Sequence, residues 1–186
     1  MIKQEKNYIA LKKKKFLKMT LLWAGAVSAV FFVGLIINGS RNSYFTLVAA
    51  LFVLPLAQNG TRYLSFNRFK DPDHEFSKVL EGMKGSYHLY HGAIVVDTTA
   101  TVLFEHLIIT SRNIYFLTAA KERIEKHGSW LKNRLAAKGI DSKQVHFVHI
   151  DQINAVKNIA LKIEKDACYT SELLEQNSNI FKDMLM

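Results

Sequence analysis

The sequence predicts a two-helix transmembrane hairpin followed by a small α/β (αβββαβ-like) cytoplasmic domain with C-terminal helices, and three observations predict it. Two uncharged runs stand near the N-terminus, 22 residues between Lys18 and Arg41 and 20 between Arg41 and Arg62. Beyond them, segments rich in β-branched and aromatic residues alternate with segments of helical periodicity. The charge is also uneven: residues 1–18 hold seven Lys and one Glu, whereas residues 76–186 hold 14 basic and 12 acidic groups. The net charge of +9 is therefore mostly a tail beside a membrane segment, and not the footprint of a nucleic-acid surface.

Taken in order, residues 1–18 form a basic cytoplasmic tail, 19–61 the hairpin, 62–72 an interfacial linker and 73–186 the folded domain. A helix rises 1.5 Å per residue, so about 20 apolar residues cross a hydrocarbon core of roughly 30 Å. The spans run from 19 to 37 and from 43 to 60, joined by the Gly, Asn and Ser turn of residues 38–43. Pro55 lies near the end of the second span, where membrane helices tolerate it. Lys12, Lys13, Lys14, Lys15 and Lys18 precede the hairpin and Arg62 and Arg68 follow it, against Arg41 alone in the turn. Positively charged flanks stay inside, so both termini face the cytoplasm and these residues meet anionic lipid at the interface of a bacterial inner (plasma) membrane. The basic region and the apolar run both exceed the lengths of a cleaved signal. Ala24, Gly25, Ser28 and Ala29 put small residues where the second helix, at Ala49 and Ala50, can approach.

In the domain, Asp71 and Pro72 read as a helix start, with Phe76, Val79, Leu80 and Met83 on one face and Gly82 and Gly85 closing it. Tyr87–Val96, Val102–Thr110 and Ile114–Leu117 read as an antiparallel meander. A helix through Trp130, Leu131 and Leu135 ends at Gly139, and Val145–Ile150 is a strand. Helices follow, the first carrying Ile153, Val156, Ile159, Ala160 and Ile163, the second starting near Thr170. A composition of 49% hydrophobic and 22% charged residues with 2 Pro and 9 Gly excludes a disordered chain. Cys168 is the one cysteine, so there is no internal disulfide and no cysteine cluster for a metal.

The histidines invite a metal reading that geometry opposes. His88 and His91, like His146 and His149, are three apart on strands, and such side chains point to opposite faces. No Gly-rich phosphate loop and no nucleophile elbow occurs.

The segment Phe104-Glu105-His106-Leu107-Ile108-Ile109-Thr110-Ser111-Arg112-Asn113-Ile114-Tyr115-Phe116-Leu117-Thr118-Ala119-Ala120 resembles the core of the nuclease-related domain. That domain is a branch of the restriction-endonuclease-like superfamily, in which two apolar strands lead to Glu-x-Lys. The resemblance covers roughly residues 75–150 and implies an αβββαβ core. It also implies that the first acid falls on Glu105, the second on Thr118 and the Lys on Ala120. One acid remains, and the two other groups that would hold a divalent ion and steady the phosphate are replaced by a hydroxyl and a methyl. Lys121, one place on, would turn to the other strand face. Glu81, about 140° from Phe76 at 100° per residue, reads as a solvated Glu beside Lys78 or Lys84.

The expected function is thus a scaffold, sensor or interaction module with a degenerate site, no catalytic residues, no metal and no cofactor. One alternative is a membrane-anchored nuclease using Mg²⁺ or Mn²⁺ with relocated ligands Glu81, Asp97 and Glu105. Another is an accessory subunit whose partners are membrane proteins. A nucleic-acid or partner contact would fall on Lys121, Arg123, Lys126, Lys132 and Arg134, with nucleic acid the less expected occupant.

Overall fold

Residues 9–70 form a helical pair. The computed structural model describes residues 1–39, 44–96, 101–167, 171–182, 184 and 185, with the side chains of Asn38, Ser171, Glu172 and Lys182 left aside. Helix α1 runs Tyr8–Asn38 and α2 runs Tyr44–Asn67, about 46 and 36 Å at 1.5 Å per residue. They run antiparallel, with the Phe16 and Phe66 ring centroids 5.7 Å apart and those of Trp23 and Phe52 5.6 Å apart. Both are long and apolar enough to cross a membrane, and only 6% of the most apolar stretch of each is buried. The core helix of a soluble protein would hide that stripe, whereas here Ile36 is 83% and Leu54 69% exposed.

These helices differ from the sequence expectation at their ends. Residues 8–18, expected as part of a tail, are the first turns of α1, and α2 continues through residue 67 into the expected linker. Pro55 therefore sits near the middle of α2, where Asn59 Nδ2 donates to the Pro55 carbonyl at 2.8 Å. The small-residue stripe is open at Gly25, where an added Cβ would meet nothing within 4 Å.

The second unit comprises Met1–Tyr8 and Asp71–Met186. Its elements are β1 (Ile2–Gln4), α3 (His74–Glu81), β2 (His88–Val96), β3 (Thr101–Ile109), β4 (Ile114–Thr118), α4 (Lys121–Ala137), β5 (Val145–His149), α5 (Ile153–Asp166) and α6 (Ser171–Lys182). The sheet order is β1-β2-β3-β4-β5. β2, β3 and β4 are the expected antiparallel meander, while β4 and β5 are parallel, joined by α4 as such a pair requires. β1, which lies within the expected tail, pairs in parallel with β2. Its three residues show no alternation that a sequence reading could detect.

Each sheet face carries its own apolar core. Phe104, Leu107, Phe116, Leu131, Leu135 and Phe181 pack together on the side of α4 and α6. Leu80, Tyr87, Leu89, Ile108, Tyr115, Val156 and Ile163 pack on the side of α3 and α5. The cap of α3 is Asp73, whose carboxylate accepts the Glu75 N–H at 2.7 Å, two residues later than the Asp71 and Pro72 expectation. Gly85 adopts φ +109°, and a Cβ there would come within 2.8 Å of Ala167 Cβ. The turn after α3 is thus pressed onto the end of α5, where Ser86 N–H donates to the Ala167 carbonyl at 2.9 Å.

Candidate functional site

The β2–β3 ladder pairs His91 with His106 and Ala93 with Phe104, but skips Gly92 and Glu105 between them. Gly92 has φ +64°, a conformation that costs a side-chain-bearing residue energy. The alternation slips there by one residue on both strands. Tyr90 and Ala93 face the same core, as do Phe104 and Leu107, although side chains three apart in a regular strand face oppositely.

The break leaves His91 and His106 side by side. Their Nδ1 atoms are 2.9 Å apart, the rings meet edge to face at 84°, and neither side chain is exposed. Two facing nitrogens 2.9 Å apart share one proton. Glu81 Oε1 lies 3.5 Å from His91 Nε2, which favours a proton on that nitrogen. His91 Nδ1 is then the acceptor and His106 Nδ1–H the donor. Burial holds both imidazoles neutral: His91 is lowered to about 4, with Glu81 opposing and Lys6 adding to the fall, and His106 to about 3, with His91 adding. Among the described residues neither His91 Nε2 nor His106 Nε2 has a hydrogen-bond partner.

Glu81 is thus half-buried beside His91, not a solvated Glu beside Lys78 or Lys84. The reason is helix rotation: Ser77 and Leu80 are both fully buried, so the inward stripe of α3 is Ser77, Leu80 and Glu81, and Phe76 sits at its edge.

The second cluster lies where β4 ends. Arg123 Nη1 donates to Glu105 Oε1 at 2.7 Å and to the Leu103 carbonyl at 3.0 Å, and lies 3.5 Å from Thr118 Oγ1. The other oxygen of Glu105 accepts the Ala119 N–H at 3.2 Å, and Thr118 Oγ1 accepts the Ala120 N–H at 3.2 Å. Arg123 reaches this spot because only Ala119 and Ala120 separate β4 from α4, so the first turn of the helix folds back over the strand ends. Lys121, expected one place along the strand, instead opens α4 with its side chain 74% exposed, and pairs with Glu125 at 3.9 Å.

The remaining expected residues do not converge. Asp97 lies outside the described residues. Glu81 and Glu105 take different partners, His91 and Arg123, so they do not form one ligand set. Among the described residues, no group of three or more His, Cys, Asp or Glu is placed to hold a metal ion. His88 and His91 do face apart, His88 toward Glu175 of α6 at 3.4 Å and His91 toward α3. His146 Nε2 meets Asn113 Oδ1 at 3.2 Å, and His149 Nε2 donates to the Ala119 carbonyl at 2.9 Å.

Of the basic set, Arg123 is drawn inward and Lys132 lies 5.9 Å over the Phe147 ring. Arg134 lines a separate hollow with Trp130, Asn133, Ala137 and Lys138, and Lys126 sits near enough to lower His127 further after burial. At the hairpin base, Lys13 Nζ donates to the Phe69 carbonyl at 2.6 Å, Arg62 lies over Phe16 and Arg68 over Phe69. Lys14, Lys15 and Lys18 are exposed on α1.

The sequence concealed the His91 and His106 pair, because the two are 15 residues apart and meet only in one strand register. Arg123 was visible as a basic residue but not as the partner of Glu105. No protein-family model, no curated protein and no solved structure matches the chain.

Proposed function

We propose that the chain is a membrane-anchored module with a nuclease-like domain in which Arg123 takes the place of the metal ion, and that it acts as a scaffold, sensor or interaction module. The observation that carries this reading is the position of the Arg123 guanidinium. It touches Glu105 and Thr118, the two positions that the resemblance assigns to metal-binding acids. Glu105 commits one oxygen to Arg123 and the other to the Ala119 N–H. A divalent ion needs several oxygen donors at once. These residues do not fit one, because the single carboxylate is already neutralised by a group that stays charged at any working pH.

Anchoring is supported by the two unburied apolar helices, and a parity argument bears on their orientation. β1 precedes both helices and β2 follows them, yet they pair in one sheet. The two strands therefore lie on one side of any membrane that the helices cross, a condition that two spans satisfy. The positive flanks favour the cytoplasmic side of a plasma membrane for the sheet and both termini.

Full-length protein in detergent, incubated with DNA or RNA and Mg²⁺ or Mn²⁺, should cut neither. Cutting that depends on the divalent ion and disappears in Glu105→Ala would overturn the reading. A reporter fused after Met186 should be active inside, and activity confined to the external side would refute the orientation.

A further inference from the structure

Two adjoining hollows of about 410 and 340 Å³ share Leu161 and Glu164 and form one groove along the outer line where α3 and α5 meet. Its floor is apolar, made by Val79, Met83 and Ala160, and Leu161, which lines both hollows, is 60% exposed. Its lips are cationic: Lys78 and Lys84 on one side, Lys157 and Lys165 on the other. On α5, Lys157, Leu161 and Lys165 stand at i, i+4 and i+8, so an exposed leucine lies between two lysines on one stripe. The one acid in the groove, Glu164, spends an oxygen on the Lys84 backbone N–H at 2.8 Å. Among the described residues none of the four lysines forms an ion pair.

We propose that this groove docks the folded domain on a bilayer surface containing anionic lipid, the four lysines meeting headgroup phosphates and Leu161 entering the acyl boundary. The inference rests on reading the hairpin as membrane-anchored. Charge complementarity favours this occupant, since uncompensated cations around an exposed apolar residue are the pattern of interfacial helices. Chain connectivity favours it too. Only residues 68–73 separate α2 from α3, and such a short tether keeps the effective concentration of the bilayer high, so a weak surface contact suffices.

The experiment uses the full-length protein in two sets of nanodiscs, one of phosphatidylcholine and one of phosphatidylcholine mixed with phosphatidylglycerol. Amide hydrogen exchange is read over residues 153–166 and over β3 as an internal control. In the anionic discs α5 should exchange about tenfold more slowly, an effect that raised salt removes. Lys157→Gln combined with Lys165→Gln should abolish the slowing while β3 exchange stays unchanged. Equal α5 exchange in both lipid compositions overturns the docking proposal. Release of the protein by alkaline extraction is a separate result, which would overturn the anchoring reading and the docking with it.

Discussion

Glu81 and Glu105 each stand against a basic side chain at the β2–β3 break, and the two clusters are built on opposite electrostatic principles. Glu105 faces Arg123 at 2.7 Å, a carboxylate against a guanidinium, with the Arg side chain 36% exposed. Glu81 faces His91 at 3.5 Å, and behind it lies a second imidazole with no access to water. The first cluster tolerates charge because solvent and a carbonyl share the guanidinium. The second tolerates none, because two buried rings have only one another to bond. The same kind of carboxylate therefore closes a salt bridge in one place and only biases a tautomer in the other.

The contrast can be broken most forcefully at the buried ring. His106→Ala removes the donor to His91 and opens a cavity under β3, so unfolding free energy should fall by about 3–5 kcal/mol, read by urea titration of the full chain in detergent. A loss under about 1 kcal/mol would mean that the pair does not hold the break together.

Acid is the next strongest probe. Unfolded histidine takes up its proton near its ordinary value of 6.5, whereas the folded rings resist until about 4 for His91 and about 3 for His106. Between those limits the unfolded chain binds more protons, so stability is full above pH 6.5 and declines as pH falls toward 4. By pH 4 the decline should be on the order of 3 kcal/mol for each of the two rings. His91→Leu with His106→Leu should flatten the slope between pH 6.5 and 4.5, and an unchanged slope would assign it to other groups.

Removing the permanent cation should cost less. Arg123→Ala leaves Glu105 with only the Ala119 N–H, and its partial exposure limits the loss to about 1–2 kcal/mol, with no new pH dependence above 6.5. The smallest effect belongs to Glu81→Gln. The 3.5 Å contact with His91 Nε2 is no hydrogen bond, so thermal unfolding should shift by the equivalent of only a few tenths of a kcal/mol. A large loss would show that the Glu81 charge, and not its shape, secures the histidines.

What could be read in advance depended on whether the signal was local. The strands from Tyr87 to Leu117 were legible because β-branched and aromatic runs are bounded by Thr-rich or Ser-Arg-Asn turns, and the hairpin was legible from charge alone. Glu105 was picked out by its motif. Its partner was not, because Arg123 lies on the next helix and reaches Glu105 only through the two-residue turn after β4. The Gly92 break was equally hidden, since one glycine in a strand gives no register, and with it went the meeting of His91 and His106. Glu81 was misjudged for want of a single fact, that Ser77 and not Phe76 is the buried residue of its turn.

The parallel pairing of β1 with β2 has a consequence for synthesis. Ile2 leaves the ribosome more than 80 residues before its register partner Leu89, and at about 5–20 residues per second that interval lasts several seconds. Through it both helices must be made while the first strand waits without a neighbour, so β1 cannot join the sheet until β2 has been synthesised. A pause in either helix would then prolong the time for which β1 stands as a raw edge, open to a neighbouring nascent chain.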